Sequence, residues 1–88
     1  MTAEEARALA AARGLASAGR IVLSSHAELR MRERGATFAD VRHALVSATT
    51  CYAQPDERWR MEGGCDVDGD ALTLIVTFEA DVIVGTLF

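Results

Sequence analysis

The residues best suited to chemistry lie in the stretch SHAELRMRERG, residues 25–35, which holds one of the two histidines and three of the nine arginines. His26, Arg30 and Arg34 are spaced four residues apart, so on a helix they form one row along one side. Histidine exchanges a proton near neutral pH, and arginine donates two hydrogen bonds to a phosphate without losing its charge. The row therefore predicts a site for an anionic ligand, with His26 as a proton carrier.

A second pair of arginines stands on a predicted strand. In RWRME, residues 58–62, the side chains alternate, so Arg58, Arg60 and Glu62 share the face opposite Trp59 and Met61. If the rim of this strand lies beside the His26 helix, the arginines of both segments converge on one phosphate.

Together these residues fit the needs of a metal-independent ribonuclease. Such an enzyme needs a base for the ribose 2′-hydroxyl, an acid for the leaving oxygen, and cations for the phosphate. The candidate catalytic residues are His26, Arg30 and Arg60. The candidate substrate-binding residues are Arg34, Tyr52 and Arg58, with Tyr52 able to stack on a base or act as a weak acid. Glu62 is a candidate second proton carrier.

Each candidate also has a structural interpretation, and the residues alone leave both open. A histidine at a helix start often bonds a neighbouring carbonyl, and arginines in a helix pair with carboxylates such as Glu28 and Glu33 or with the last carbonyl groups. Arg58 and Arg60 can equally be the solvated face of an edge strand. In a chain with so few aromatic residues, Tyr52 can belong to the core.

The composition indicates one small domain, residues 1–88, with an N-terminal helix over 1–19 and a core over 20–88. Half of the 88 residues are apolar, yet no apolar run approaches the ~18 residues of a membrane helix. Glu4 and Glu5 stand where an export signal carries positive charge, so we expect a cytoplasmic protein without membrane association. The net charge of −4 opposes nucleic-acid binding, but five of the nine arginines are clustered, which allows a local positive patch.

The cysteines and histidines do not predict a metal site. Cys51 and Cys65 lack CxxC spacing, and we expect two free thiols in a reducing compartment, with a disulfide as the alternative. These residues, His26 and His43 are too scattered to predict zinc, so we predict no metal and no cofactor. His43 is expected to be solvated or close to a helix cap.

Caps and apolar spacing predict the elements that position these residues. Helices are predicted from Thr2, with ends at 13 or 18, over 25–34 with Ser25 and Glu28 as a capping box, and from Thr37. Strands are predicted over 20–24, 50–53, 58–62, 71–78 and 82–88, with 71–78 in the centre because it is apolar on nearly both faces. The order α-β-α-α-β-β-β-β predicts an α+β domain with helices on one face of an antiparallel sheet.

The string His-x-x-x-Arg-Met-x-x-Arg-Gly, formed by His26, Arg30, Met31, Arg34 and Gly35, resembles a small uncharacterised bacterial family, the domain of unknown function forty-two fifty-eight. The resemblance covers roughly residues 20 to 88. It implies a RelE-like fold and the role of toxin in a type II toxin–antitoxin pair. The implied partners are RNA and a small antitoxin, which in some pairs is of zinc-finger type. The predicted order departs from the usual RelE-like order at the N-terminus and in the two short helices after the first strand.

Two functions follow as hypotheses. The first is a metal-independent endoribonuclease of the toxin type. The second is a non-catalytic interaction protein, in which the arginines bind an acidic partner, or the sheet edge or N-terminal helix forms a homodimer. A shared groove for the His26 row and the Arg58/Arg60 face favours the first, and positions on opposite sides of the domain favour the second.

Overall fold

The computed structural model describes all 88 residues, arranged as helices on one side of a five-stranded sheet. In chain order the elements are α1 (Ala3–Ser17), β1 (Ile21–Leu23), α2 (Ser25–Arg34), α3 (Phe38–Ser47), β2 (Thr50–Gln54), β3 (Arg58–Glu62), β4 (Leu74–Phe78) and β5 (Val82–Leu87). The predicted α+β class and the predicted order of elements are confirmed. None of the helices has the length and apolar character needed to cross a membrane.

The sheet has the strand order β1-β5-β4-β3-β2, with β4 in the centre as predicted. β2 to β5 pair antiparallel, but β1 pairs parallel with β5, so the prediction of a purely antiparallel sheet is wrong. The physical reason is the long return of the chain from β1. Two helices and three strands intervene before β5 arrives beside β1, and such a crossover allows strands to run in the same direction.

Local capping signals account for three of the six helix ends. Thr2 with Glu5, and Thr37 with Asp40, form the predicted capping boxes at α1 and α3. Gly35 closes α2 in the left-handed conformation, with φ of 73°.

The start of α2 differs from the prediction. Ser24, not Ser25, is its N-cap, and no capping box with Glu28 forms. The hydroxyl of Ser24 accepts a hydrogen bond from the Ala27 N–H at 3.0 Å and donates one to the Gly85 carbonyl at 2.9 Å. A contact with β5, far along the chain, therefore decides which serine caps the helix.

The two faces of the sheet differ in character. One face and the helices enclose a core that includes Leu9, Ala12, Ala27, Val41, Leu45, Cys51, Met61, Leu74, Val76 and Val84. The opposite face carries no buried side chain; its members include Val22, Tyr52, Arg58, Arg60, Ile75, Thr77, Ile83 and Thr86. We call this second surface the open face.

The connection between β3 and β4 is held tightly against α3. Gly64 is buried there, and a Cβ atom at this position would overlap the carbonyl oxygen of Ala44. β4 begins at Leu74, later than the predicted residue 71, because residues 66–70 form a tight turn and Ala71 makes only an isolated bridge to Cys65.

Candidate functional site

The last two residues of the chain contact arginines from α2 and from β3. The Nε of Arg30 on α2 donates a hydrogen bond to the carbonyl of Leu87 at 3.2 Å. The guanidinium carbon of Arg60 on β3 lies 5.1 Å from the centre of the Phe88 ring, within cation–π distance. Because Leu87 and Phe88 are consecutive, both guanidinium groups lie at the same corner of the sheet. We call Arg30, Arg60 and Phe88 the arginine corner.

The position of α2 explains how a helix reaches this corner. β1 pairs with the first part of β5, and the Ser24 N–H then donates to the Val84 carbonyl at 3.0 Å. From Ser24 onward α2 takes the place of an edge strand beside the second half of β5. The side chain of Arg30, in the second turn, therefore meets the Leu87 carbonyl.

Carboxylates accompany both arginines, but in different ways. Arg60 forms an ion pair with Glu62, which stands on the same face of β3. The Nη1 of Arg30 lies 3.8 Å from the Glu33 carboxylate, a long contact between exposed groups that contributes little to stability. Glu62, the predicted second proton carrier, therefore acts in this structure as the partner of Arg60.

His26 stands one helical turn before Arg30. Its side chain is exposed, and its imidazole makes no hydrogen bond or ion pair within the fold. The interpretation of His26 as a ring bonded to a neighbouring carbonyl is therefore not realised. On a helix, side chains four residues apart begin ~6 Å from each other, so His26 lies beside Arg30 at the border of the corner.

Tyr52 extends the corner across the open face. It lies directly opposite Arg60 in the register of β2 and β3, and its side chain is 46% exposed. The Phe88 ring, on the other side of Arg60, is 39% exposed. The open face thus presents two aromatic rings with a guanidinium group between them.

The other two predicted substrate-binding residues lie elsewhere. Arg58 is exposed near the β2–β3 turn, where its Nε donates to the Pro55 carbonyl at 3.2 Å. The Nη2 of Arg34 donates to the Ala71 carbonyl at 2.8 Å. The predicted row on α2 is therefore divided, with Arg30 at the corner and Arg34 turned toward the β3–β4 connection.

Arg34 lines a cleft of about 340 Å³ whose other charged residues are Asp40, Asp66, Asp68 and Asp70. Two of these carboxylates already hold backbone groups. Asp66 accepts hydrogen bonds from the N–H groups of Asp68 and Asp70, both at 2.9 Å, and Asp40 accepts from Val67 at 3.1 Å. No group of three or more histidine, cysteine or acidic side chains in the structure could hold a metal ion.

The sequence analysis missed a set of polar contacts on α3 that fixes this region. The segment 65–67 is bound by three side chains on one side of the helix, those of Asp40, His43 and Ser47. The Asp40 carboxylate accepts a hydrogen bond from the Val67 N–H, and the His43 Nδ1 lies 2.7 Å from the Cys65 carbonyl. The Ser47 hydroxyl accepts a hydrogen bond from the Cys65 N–H. Their spacing of three and four residues was the available signal. We call these residues the α3 clasp.

The pKa values of two groups reflect these contacts. Hydrogen bonds from the backbone N–H groups of Thr37 and Val67 hold the pKa of Asp40 below its usual range. Burial, together with the nearby charge of Glu5, raises the pKa of the Cys51 thiol to about 11. Cys51 and Cys65 are both free thiols, so the disulfide alternative is not realised.

Phe88 is the second feature that the sequence analysis missed. Its ring is part of the corner because Phe88 directly follows β5, and only β4 separates β5 from the strand that carries Arg60. That proximity depends on strand order, which local patterns do not specify.

Comparisons with known proteins leave this chain without an assigned relative, since no family model, curated protein or solved structure matches it. The resemblance to the uncharacterised bacterial family and to RelE-like toxins stays a prediction.

Proposed function

We propose that this protein is a metal-independent endoribonuclease of the toxin type, which binds an RNA phosphate between Arg30 and Arg60 and uses His26 as a proton carrier. The observation that supports this proposal is that Arg30 and Arg60 contact two consecutive residues, Leu87 and Phe88, at one corner of the sheet. They come from two separate elements, α2 and β3, and each is anchored by the fold.

The way in which each arginine is anchored supports ligand binding. Arg30 is held through Nε at the Leu87 carbonyl, and Arg60 is held through Nε at the Glu62 carboxylate. The terminal nitrogens of both groups make no hydrogen bond inside the fold, so they remain as donors for phosphate oxygens. Arg20 and Arg42 differ, because each uses a terminal nitrogen to hold a backbone carbonyl.

The surroundings of the corner fit an RNA strand. Aromatic rings stack on nucleobases, and Tyr52 and Phe88 are exposed on either side of Arg60. His26, free of internal partners and next to Arg30, is placed to exchange a proton with a ribose hydroxyl or a leaving oxygen. In a toxin–antitoxin pair, the antitoxin would inhibit the protein by covering this corner.

The test is cleavage of a single-stranded RNA by the purified protein in the presence of EDTA. Since acid–base groups contribute about 10²–10⁴-fold to rates, His26→Ala should lower the cleavage rate by at least ~100-fold. Arg30→Ala and Arg60→Ala should also lower it, because each removes a phosphate ligand. Arg32→Ala is the matched control, since Arg32 is exposed on the same helix and its side chain makes no hydrogen bond or ion pair in the fold.

Two results would contradict the proposal. One is intact RNA after incubation with the wild-type protein, together with normal growth of cells that express it. The other is cleavage that survives His26→Ala unchanged.

One observation favours a second function, a binding module without catalysis. Glu62 already neutralises part of the charge of Arg60, and no second proton carrier stands free beside His26. In that case the corner binds an acidic segment of a partner protein. Complex formation should then weaken as salt is raised, and it should not change RNA at all.

A further inference from the structure

The outer edge of β2 is a strand edge without charges of its own. β2, residues TCYAQ, is the last strand of the sheet and contains no charged residue. The unpaired N–H and C=O groups of an edge strand are a template for another strand, and proteins usually protect them with charged side chains, prolines or a covering segment. In this chain the start of α1 supplies the cover.

Two side chains from the first residues of the chain occupy the outward N–H groups of β2. The Ala53 N–H donates to the Glu5 carboxylate at 2.8 Å, and the Cys51 N–H donates to the Met1 sulfur at 3.3 Å. The other oxygen of the Glu5 carboxylate binds the Thr2 N–H at 2.7 Å. These outward N–H groups are therefore satisfied by side chains of Met1 and of α1 rather than by a strand.

This cover is held weakly. None of residues 1–7 is buried, and the buried positions of α1 begin at Ala8. An open groove of about 310 Å³ lies between α1 and the side chains of Trp59 and Phe78. Because a thioether is a weak acceptor, the Glu5–Ala53 hydrogen bond is the main tie between the cover and the edge.

We infer that the start of α1 is a removable cover, and that β2 pairs antiparallel with β2 of a second copy of this chain once the cover lifts. The positions of the outward N–H groups of β2 allow it to pair with β2 of a second copy. Hydrogen-bonded and non-hydrogen-bonded pairs alternate along antiparallel strands, so a pair centred on Tyr52 places Cys51 opposite Ala53 of the second copy. Each outward N–H group that the cover releases then finds a backbone carbonyl.

The side chains of β2 also fit pairing with themselves. Cys51 and Ala53 are small, and the facing positions Thr50 and Gln54 are polar and uncharged, so no like charges oppose each other. The two Tyr52 rings would meet at the centre on the open face. The two sheets would then form one continuous sheet. This inference is independent of RNA cleavage.

The test uses three variants of the full chain. Glu5→Ala removes the hydrogen bond to Ala53 and the capping box, and Thr2→Ala weakens only the capping box. Glu4→Ala removes a neighbouring charge that makes no hydrogen bond to β2. Loss of a hydrogen bond to a charged group raises the equilibrium constant for opening about tenfold or more. The Ala53 amide hydrogen of Glu5→Ala should therefore exchange with solvent at least ~10-fold faster than that of the wild type at low protein concentration. At high concentration Glu5→Ala should sediment as a dimer, whereas both controls should stay monomeric.

A further substitution tests whether the dimer forms through this edge. Proline has no backbone N–H. Ala53→Pro, added to Glu5→Ala, therefore removes a donor that must bond a carbonyl of the second copy, so it should abolish the dimer. A folded Glu5→Ala protein that stays monomeric at every concentration overturns the inference. A dimer that survives Ala53→Pro, or that forms equally in Glu4→Ala, also overturns it.

A cross-link keeps the inference testable if Glu5→Ala does not fold. In a Cys65→Ser background with Glu5 intact, Tyr52→Cys should yield a covalent dimer under oxidising conditions, because directly opposite residues have Cβ atoms ~5 Å apart. Thr77→Cys, on the same open face but on the central strand β4, is the matched control. Equal yields from the two variants, or no covalent dimer from Tyr52→Cys, would overturn the inference.

Discussion

Replacing Gly64 with alanine should destabilise the protein more than its small size suggests. The added Cβ atom would overlap the carbonyl oxygen of Ala44 and lie 3.0 Å from both the Ala44 carbonyl carbon and the Ala48 nitrogen. All three are backbone atoms of α3 and its C-terminal cap, so no side chain can rotate away to relieve the overlap. The β3–β4 connection and α3 would have to separate, and the α3 clasp would be stretched.

The expected cost follows from this geometry. Overpacking a well-filled region typically costs about 1–3 kcal/mol, and a backbone-on-backbone overlap belongs near the upper end, at about 2–3 kcal/mol. For a domain of this size each kcal/mol corresponds to about 4–8 °C, so the unfolding midpoint should fall by about 10–20 °C. The assay is thermal and urea unfolding followed by circular dichroism.

Gly14→Ala is the matched control. A Cβ atom at Gly14 would meet no atom within 4 Å, and the residue lies inside α1. Alanine is favoured over glycine in a helix by about 0.5–1 kcal/mol, so this variant should be more stable than the wild type. A Gly64→Ala protein within about 0.5 kcal/mol of the wild type, well inside the cost expected of overpacking, would refute the packing argument.

Three further predictions concern the corner, the thiols and acid stability. Phe88→Ala should weaken binding of a single-stranded RNA about 2- to 5-fold, since an exposed cation–π contact contributes about 0.5–1 kcal/mol and holds Arg60 in place. Fluorescence anisotropy measures the RNA affinity, and an unchanged affinity would exclude a role for the ring. In the native protein iodoacetamide should label Cys65 and leave Cys51 unmodified up to about pH 10, because burial raises the pKa of Cys51 to about 11. Mass spectrometry after digestion distinguishes the two thiols, and equal labelling of both would contradict the burial of Cys51. The pKa of Asp40 is lowered in the folded state, so its contribution to stability is complete above its ordinary value of 3.8 and is lost as pH falls through the folded-state pKa. Asp40→Asn should therefore flatten the dependence of the unfolding midpoint on pH in the acid range, and a curve parallel to the wild type would show that Asp40 does not contribute.

Features that depend on neighbouring residues could be predicted from the sequence. The capping boxes at Thr2 and Thr37 and the closure of α2 at Gly35 involve groups within a few residues of each other, so local patterns specify them. The central position of β4 was predictable because a run of apolar residues such as Leu74, Ile75 and Val76 is typical of an interior strand.

Features that depend on distant residues could not be predicted in the same way. The cap of α2 is decided by a bond between Ser24 and Gly85, which are 61 residues apart. Arg34 leaves the predicted row for the Ala71 carbonyl, 37 residues away. The sequence indicates that an arginine is available, but the strand order decides which backbone group or aromatic ring it reaches.

The anchoring of Arg30 on Leu87 makes the corner a junction between early and late parts of the chain. α2 lies beside β5 without a strand's ladder of hydrogen bonds, so the polar contacts across this boundary come from the side chains of Ser24 and Arg30. An anion held by both Arg30 and Arg60 would connect α2 to β3 and so stabilise the position of the helix on the sheet. Occupancy of the corner should therefore be visible as a gain in heat resistance, even for a small oxyanion that undergoes no reaction.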